Sequence, residues 1–266
     1  MRSLLILVAV GCGPRGAPTA LPDAGGPRQY KVGVAAANGD AVVTSITTLR
    51  VVPRTDAVWA FMTEQAEGTW EEGTAAMTWS SATPTPADPW PITLQHAVAT
   101  VPASIRMSPQ GEAIEMVDVE AWKSAARDAM RATDLPPQAA IGAASLLDPE
   151  GVLRDVQRNF PGQPTGAGAW VREEVIAGIP ATRLESCTVE RDGGTAAWTC
   201  SGRLEGPTDG QARLVEGQSR TELKVDRFGL VRMDTTYAAT LVLLGPTGTE
   251  VIDRPVAGRR QVLRRD

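Results

Sequence analysis

The sequence predicts an α+β protein that is mainly β: a curved antiparallel sheet, half-barrel or meander, with two or three short helices from the middle of the chain. Three observations carry this. Apolar and β-branched runs on both sides of the middle are separated by short turns rich in Gly, Asn and Asp, the pattern of strands joined by hairpins. Between residues 118 and 160 the apolar period lengthens to that of a helix. Asp192-Gly193-Gly194 then lies between two β-rich runs that each hold a cysteine, which sets a hairpin register. With 266 residues the chain is long enough to bury a large core.

In chain order, strands are expected over residues 29–34 and 41–52, joined near Asn38-Gly39, a dipeptide that favours two-residue hairpin turns. Residues 58–63 and 74–79 continue the series. Pro84, Pro86, Pro89 and Pro91 make residues 81–91 a loop or an edge crossing. Leu94-Gln95-His96-Ala97-Val98 alternates and is expected as a strand, with His96 between Leu94 and Val98 on one face. Residues 105–107 and 113–117 flank the turn Ser108-Pro109-Gln110-Gly111. Asp118 is then placed to cap a helix over 118–133, whose Val119, Trp122, Ala126 and Met130 form one stripe, and Pro136-Pro137 ends it. Asp148-Pro149-Glu150 opens a second helix over 148–160 with a cap, a proline in the first turn and an acid after it. Strands return over 170–176, 213–225, 230–244 and 249–263, with turns at Asp226-Arg227-Phe228-Gly229 and Gly245-Pro246-Thr247-Gly248. Consecutive hairpins imply a meander. Ile105-x-Met107-Ser108-x-x-Gly111 echoes Leu223-x-Val225-Asp226-x-x-Gly229, so the single β-rich domain expected over 28–266 allows two pseudo-repeated halves, 28–133 and 165–266, around the helical middle 118–160.

With Gly193-Gly194 in the turn, Cys187 and Cys200 are equally far from it and face each other. Counting outward from Asp192 and Thr195, they fall on a non-hydrogen-bonded pair, where side chains approach most closely. That spacing suits a disulfide, with two buried thiols as the alternative. Val189 opposite Trp198 shares the face, and no Cys-x-x-Cys is present to activate either sulfur.

The N-terminus places the chain. Met1-Arg2-Ser3 precedes seven apolar residues, 4–10, too few to span a bilayer but suited to the apolar core of a secretory signal. Ala9-Val10-Gly11-Cys12 resembles a bacterial lipobox, although Ala9 stands where Leu is commoner. The resemblance implies a signal peptide over 1–11 and a lipid on Cys12. A cleaved signal with an incidental cysteine is the alternative. Residues 12–27, rich in Pro and Gly, read as a tether. The implied location is the bacterial cell envelope, periplasm-facing or surface, lipid-anchored. Gly13 after the cysteine, where Asp is absent, resembles the outer-membrane rather than the inner-membrane sorting pattern.

The order of lipobox, tether, N-terminal strands, helices, Phe160-Pro161 with Gly168-x-Trp170, and long C-terminal hairpins resembles an uncharacterised family of predicted bacterial envelope lipoproteins, over about residues 28–263. No catalytic residue is carried over by that resemblance. More remotely, long curved strands under a few helices look like the half-barrel of lipoprotein carriers, an analogy of fold.

Site chemistry is restricted by what the chain lacks. Lys and Arg number 26 against 31 Asp and Glu, a net charge of −5, which argues against nucleic acid as a partner. One histidine, His96, excludes multi-histidine metal sites, and no serine sits in a Gly-x-Ser-x-Gly elbow to use it as a base. The phosphate loop is absent, and Val171 stands where a dinucleotide fingerprint beginning Gly166-x-Gly168 needs glycine. No cofactor, no metal site and no catalytic residue are assigned. Glu71-Glu72 and Glu173-Glu174 are the carboxylate pairs available to a hydrolase of envelope polymers, the alternative function. Trp59, Trp79 and Trp122, from a tryptophan-rich stretch, are candidates for an apolar pocket, with ordinary core packing as the other use. Arg259, Arg260, Arg264 and Arg265 are expected to form a solvated strand end. The favoured reading is a lipid-anchored envelope protein that binds or scaffolds. Its partners are the membrane, through the N-terminal lipid, and an apolar small molecule or an envelope protein.

Overall fold

Alternation of apolar and polar residues along the strands produces one large antiparallel sheet with a single buried face. The computed structural model describes residues 26–55, 57–82, 90–133, 146–207, 211–245 and 250–265. The N-terminal strands are β1 (Arg28–Asn38), β2 (Ala41–Pro53), β3 (Val58–Glu72) and β4 (Ala75–Ser80). Helix α1 (Trp90–Ala99), β5 (Ala103–Met107), β6 (Ala113–Val117), α2 (Val119–Arg131) and α3 (Pro149–Asn159) follow. The C-terminal strands are β7 (Gly168–Ile176), β8 (Ile179–Asp192), β9 (Thr195–Glu205), β10 (Ala212–Asp226), β11 (Gly229–Leu244) and β12 (Glu250–Arg265).

The strand order is β6-β5-β3-β2-β1-β12-β11-β10-β9-β8-β7, with β4 on the far half of β3, and the sheet is open. The chain therefore runs outward from the centre through β1 to β6, crosses by way of α2 and α3 to the opposite edge, and meanders back from β7 to β12. The C-terminal meander is as expected. The sequence reading did not include the central seam, where β1 pairs β12 from Gln29↔Arg265 to Asn38↔Val256.

Residues 94–98 are not a strand: they lie in α1. Leu94 and Val98 share a face in either period, since the positions suit both i, i+2, i+4 of a strand and i, i+4 of a helix. Packing decides it, because both side chains are buried in the core and α1 stacks on α2. Pro91 sits in the first turn of α1, where its missing N–H costs nothing. Asp118 does not cap α2. It adopts a left-handed conformation (φ 55°) that turns β6 directly into the helix, and its side chain makes no capping bond. Asp148 does cap α3, its carboxylate accepting from the Glu150 N–H at 3.1 Å. The β1–β2 turn is shifted by one residue from Asn38-Gly39. Asn38 stays in the ladder opposite Ala41, and Gly39 takes the positive φ of 61° required at the first loop position.

The inner face has two apolar layers. The larger packs Tyr30, Val32, Phe61, Met233 and Val262 of the sheet against Trp122 and Met130 of α2 and Val156 of α3. Phe160, just past α3, meets Tyr30 edge-on at 5.1 Å and Phe61 at 5.2 Å. The smaller layer, at the other end of the C-terminal strands, holds Ile176, Ile179, Leu204, Leu214, Leu241 and Val256. Helix α3 also reaches the two edges at the ends of the strand order. Gln157 Nε2 donates to the Ala113 carbonyl of β6 at 3.0 Å, and Arg158 Nη2 to the Val175 carbonyl of β7 at 3.4 Å.

The C-terminal arginines do not form one solvated end. Alternation sends Arg264 to the inner face beside Tyr30, where its side chain is 8% exposed and donates to both carboxylate oxygens of Asp226 at 3.0 and 2.6 Å. Arg259 points outward and donates to Asp234 at 2.9 Å through Nε. Those bonds, with help from Gln261 and Arg232, hold Asp234 down to about 2 against the opposing effect of burial.

Cys187 and Cys200 are joined, as the hairpin register requires, with Cα atoms 4.0 Å apart on the buried face beside Trp198. Replacing both by Ala should lower the free energy of unfolding by about 3 kcal/mol, the closure entropy of so short a loop. Urea denaturation reads this directly, and an unchanged midpoint would mean the hairpin is held by its packing alone.

Candidate functional site

The helices do not fill the inner face of the N-terminal strands. A cleft of about 570 Å³ lies between β2 and β3 on one side and α1, α2 and α3 on the other. Leu49, Phe61, Val98, Trp122, Val152 and Val156 give it apolar walls, and Gln95, His96, Asp148, Asp155 and Asn159, with the hydroxyl residues Ser45, Thr47 and Thr63 of the strands, supply its polar groups. Its size falls within the range of small-molecule sites, about 300–1,000 Å³.

Beyond α3 the chemistry of the inner face changes. Glu185, with no side-chain exposure, accepts from Arg172 Nη2 at 2.6 Å and from the Thr221 hydroxyl at 3.1 Å. Arg172 also reaches Thr221 at 2.7 Å, three strands away along the order β7-β8-β9-β10. Arg183 pairs with Glu174, lies 3.9 Å from Glu185, and donates to the Thr236 carbonyl of β11 at 3.2 Å. Reaching across that many strands requires a tight curl. Gly202, opposite Glu185 on β9, permits it: a Cβ there would collide with the β8 backbone at Leu184 and Glu185. This buried charged belt separates the two apolar layers.

A second cavity, about 740 Å³, opens beside the belt, lined by Arg154, Arg158, Arg172, Arg183, Arg260 and Tyr237 among others. Burial lowers the affinity of Arg172 for its proton, opposed by Glu185, and burial likewise lowers that of Arg260. Burial raises Tyr237, and the nearby Glu174 adds to it. The Tyr237 ring lies across Gly258, its cross-strand partner, in space a Cβ would fill. Arg260 donates to the Asn159 amide oxygen at 2.7 Å. Helix α3 is thus the wall between the two spaces: Val152, Asp155, Val156 and Asn159 line the cleft, while Arg154, Gln157 and Arg158 line the cavity.

Of the three tryptophans singled out by sequence, Trp122 lines the cleft. Trp59 is buried in the core at the β3–β5 junction, 3% exposed. Trp79 lies across Gly68 and meets the His96 ring at 5.3 Å, one step away from the cleft lining. His96 is half-buried on α1 and lines the cleft. Glu173 and Glu174 are consecutive strand residues, so they project from opposite faces, and Glu174 is committed to Arg183. Glu71 and Glu72 are exposed at the end of β3. Cys12, the signal and all of the tether but Gly26 and Pro27 lie outside the described residues. Among the described residues no group of three or more His, Cys, Asp or Glu is placed to hold a metal, and no helix is long and apolar enough to cross a membrane. The sequence reading missed the arginine belt. Its signal was Arg172-x-Glu174 and Arg183-x-Glu185, charges two apart at positions that alternation points inward.

No protein-family model and no curated protein matches the chain in sequence. Among solved structures, the chain is similar to part of lipovitellin, from a study of lipid–protein interactions in that protein. The match has a TM-score of 0.52 at 10% identity, covering 93% of this chain and 25% of that one. The chain thus spans about a quarter of the lipovitellin chain, and the likeness shows a shared fold. A domain from Vibrio parahaemolyticus described as outer membrane lipoprotein-sorting aligns over 91% of this chain and 84% of its own. At 9% identity and a TM-score of 0.18 it carries no structural argument.

Glu185→Ala should cost about 3–5 kcal/mol, because it leaves Arg172 and Arg183 buried against each other without their shared carboxylate. Chemical denaturation measures the loss. A cost near zero would mean that the belt is solvated in solution.

Proposed function

We propose that this protein is a non-enzymatic, lipid-anchored protein of the bacterial envelope that binds an apolar ligand in the cleft between β2–β3 and the three helices. The cleft itself carries the reading: a gap left between part of the sheet face and its helical cover, with aliphatic and aromatic walls beside a set of polar groups. The shared fold with lipovitellin, whose structure was studied for lipid–protein interactions, supports an acyl chain as the ligand class. The hydrolase alternative needs two carboxylates converging on one cleft; neither Glu71-Glu72 nor Glu173-Glu174 supplies them, and the two aspartates on the cleft lining are engaged elsewhere, Asp148 in capping α3 and Asp155 in pairing with Arg158. The lipobox-like Ala9-Val10-Gly11-Cys12 supports an anchor at Cys12, and Gly13 supports the outer membrane over the inner. A lipid with several chains at that cysteine would suffice for stable attachment.

Delipidated protein titrated with a fluorescent fatty-acyl probe should bind saturably. Val152→Trp, which places an indole in the cleft, should weaken binding about tenfold or more. His96→Ala should leave affinity within about twofold, since the imidazole is one of several polar groups on the lining and an acyl chain is held by the apolar walls. Absence of saturable binding would remove the ligand and leave a surface scaffold for envelope partners. Loss of a demonstrated function in His96→Ala alone would restore the enzyme reading.

The anchor has its own test. Cells expressing the protein should incorporate a palmitate analogue into wild type and not into Cys12→Ser. Equal labelling of the two, or none in an exported wild type, would refute lipidation.

A further inference from the structure

The cavity across α3 has an excess of buried donors over acceptors. Arg172 and Arg183 are matched by Glu185 and Glu174. Arg158 pairs at 3.1 Å with Asp155, whose carboxylate is 71% exposed and therefore solvent-screened. Arg260 hydrogen-bonds a neutral acceptor, the Asn159 amide oxygen; Glu174 and Asp155 act on its charge from farther away, but each is paired directly with another arginine, Arg183 and Arg158. The Nε atoms of Arg158 and Arg172 are buried and find no acceptor among the described residues. A half-buried guanidinium without an ion pair of its own is costly, and natural interiors pair such groups or give them an anion. Glu112 and Glu173 complete the carboxylates on the lining; both are exposed, and Glu173 accepts from Thr182. Trp170, stacked on the Arg172 guanidinium at 4.0 Å, and Tyr237 give the cavity rigid walls.

The cavity and the cleft also adjoin. Val34 on the floor of the cavity is directly cross-strand from Ser45 on the floor of the cleft. Asn159 lines the cleft and holds Arg260, which lines the cavity.

We propose that Arg260 and Arg158 bind an anionic oxygen group, a phosphate monoester or carboxylate, as the head of an amphiphile whose chain occupies the cleft. The assignment of the chain rests on the function proposed above; the anion site does not. Guanidinium donors offer planar, charge-assisted bonds to such oxygens, and the low-dielectric surroundings strengthen them.

The test titrates the delipidated protein with dodecyl phosphate, dodecanol and inorganic phosphate, each alone and in competition with the acyl probe. It compares wild type with Arg260→Gln and Arg158→Gln, neutral side chains of similar reach. Dodecyl phosphate should displace the probe at about ten- to hundredfold lower concentration than dodecanol, the margin expected of charge-assisted hydrogen bonds. That margin should collapse in Arg260→Gln, with dodecanol unaffected. Inorganic phosphate binding that is lost in Arg260→Gln, with no probe displacement by either dodecyl compound, would keep a free-anion site and refute the acyl cleft. Equal displacement by the two dodecyl compounds in wild type would overturn the headgroup site while leaving the acyl reading standing. A margin that survives both substitutions would do the same. The wild-type comparison decides even where a variant does not fold.

Discussion

The pairing of β1 with β12 is the constraint on which the rest of the structure depends. It joins the first strand to the last along ten residues and makes one sheet out of two hairpin series that grow in opposite directions. Without it the N-terminal strands would end at a long edge formed by β1 and the C-terminal meander at a long edge formed by β12. Both would be aggregation-prone. It also sets the inward positions for the whole molecule. Val32 faces Val262 and Tyr30 faces Arg264, so a slip of one residue would move the core of one half to the outer face. Closing a loop of more than two hundred residues delays this seam in folding, since loop entropy must be overcome before the ladder rewards it.

With the centre fixed, the edges at the two ends of the strand order are β6 and β7, apart from the short β4 beside β3, and α3 serves both. Gln157 satisfies an edge carbonyl of β6 and Arg158 one of β7, in positions where a closed barrel would have a strand ladder. The chain leaving α3 adds an isolated bridge between Glu112 and Pro161, and Phe160 anchors the helix end between Tyr30 and Phe61. A helix used in place of closing strands stands off from the sheet by the width of its side chains. Apolar residues fill that space at Phe160 and leave it open around Val152 and Trp122. The cleft is thus a consequence of how the edges are satisfied.

Much of this was legible in the chain. Turn residues and period changes are local signals, so strand order along the sequence, two of the three helices and the disulfide register could be read from them. The cysteine pairing was readable because Gly193 and Gly194, both at positive φ, leave one place for the turn. What was not legible is non-local. Residues 94–98 suit either period, and only burial against α2 makes them helical. Arg264 reads as a solvated end until β1 and Asp226 are brought beside it. Trp59, Trp79 and Trp122 are neighbours in composition but belong to a core junction, a glycine cover and a cleft wall respectively.

The charged belt explains why the inner face has two apolar layers instead of one. A continuous aliphatic face over six curled strands would tolerate several registers, because Val, Leu and Ile substitute for one another at little cost. Placing Glu185 between Arg172 and Arg183, with Thr221 completing its bonds, removes that tolerance: any other register leaves a charge buried alone. The desolvation this entails is offset while every partner is present, and Gly202 and Gly258 make room for the long side chains and the Tyr237 ring that cross the sheet. Arg260 is the member of this region without a carboxylate of its own. The belt therefore determines the register of the C-terminal strands and, at its margin beside α3, leaves a half-buried positive charge next to the cleft.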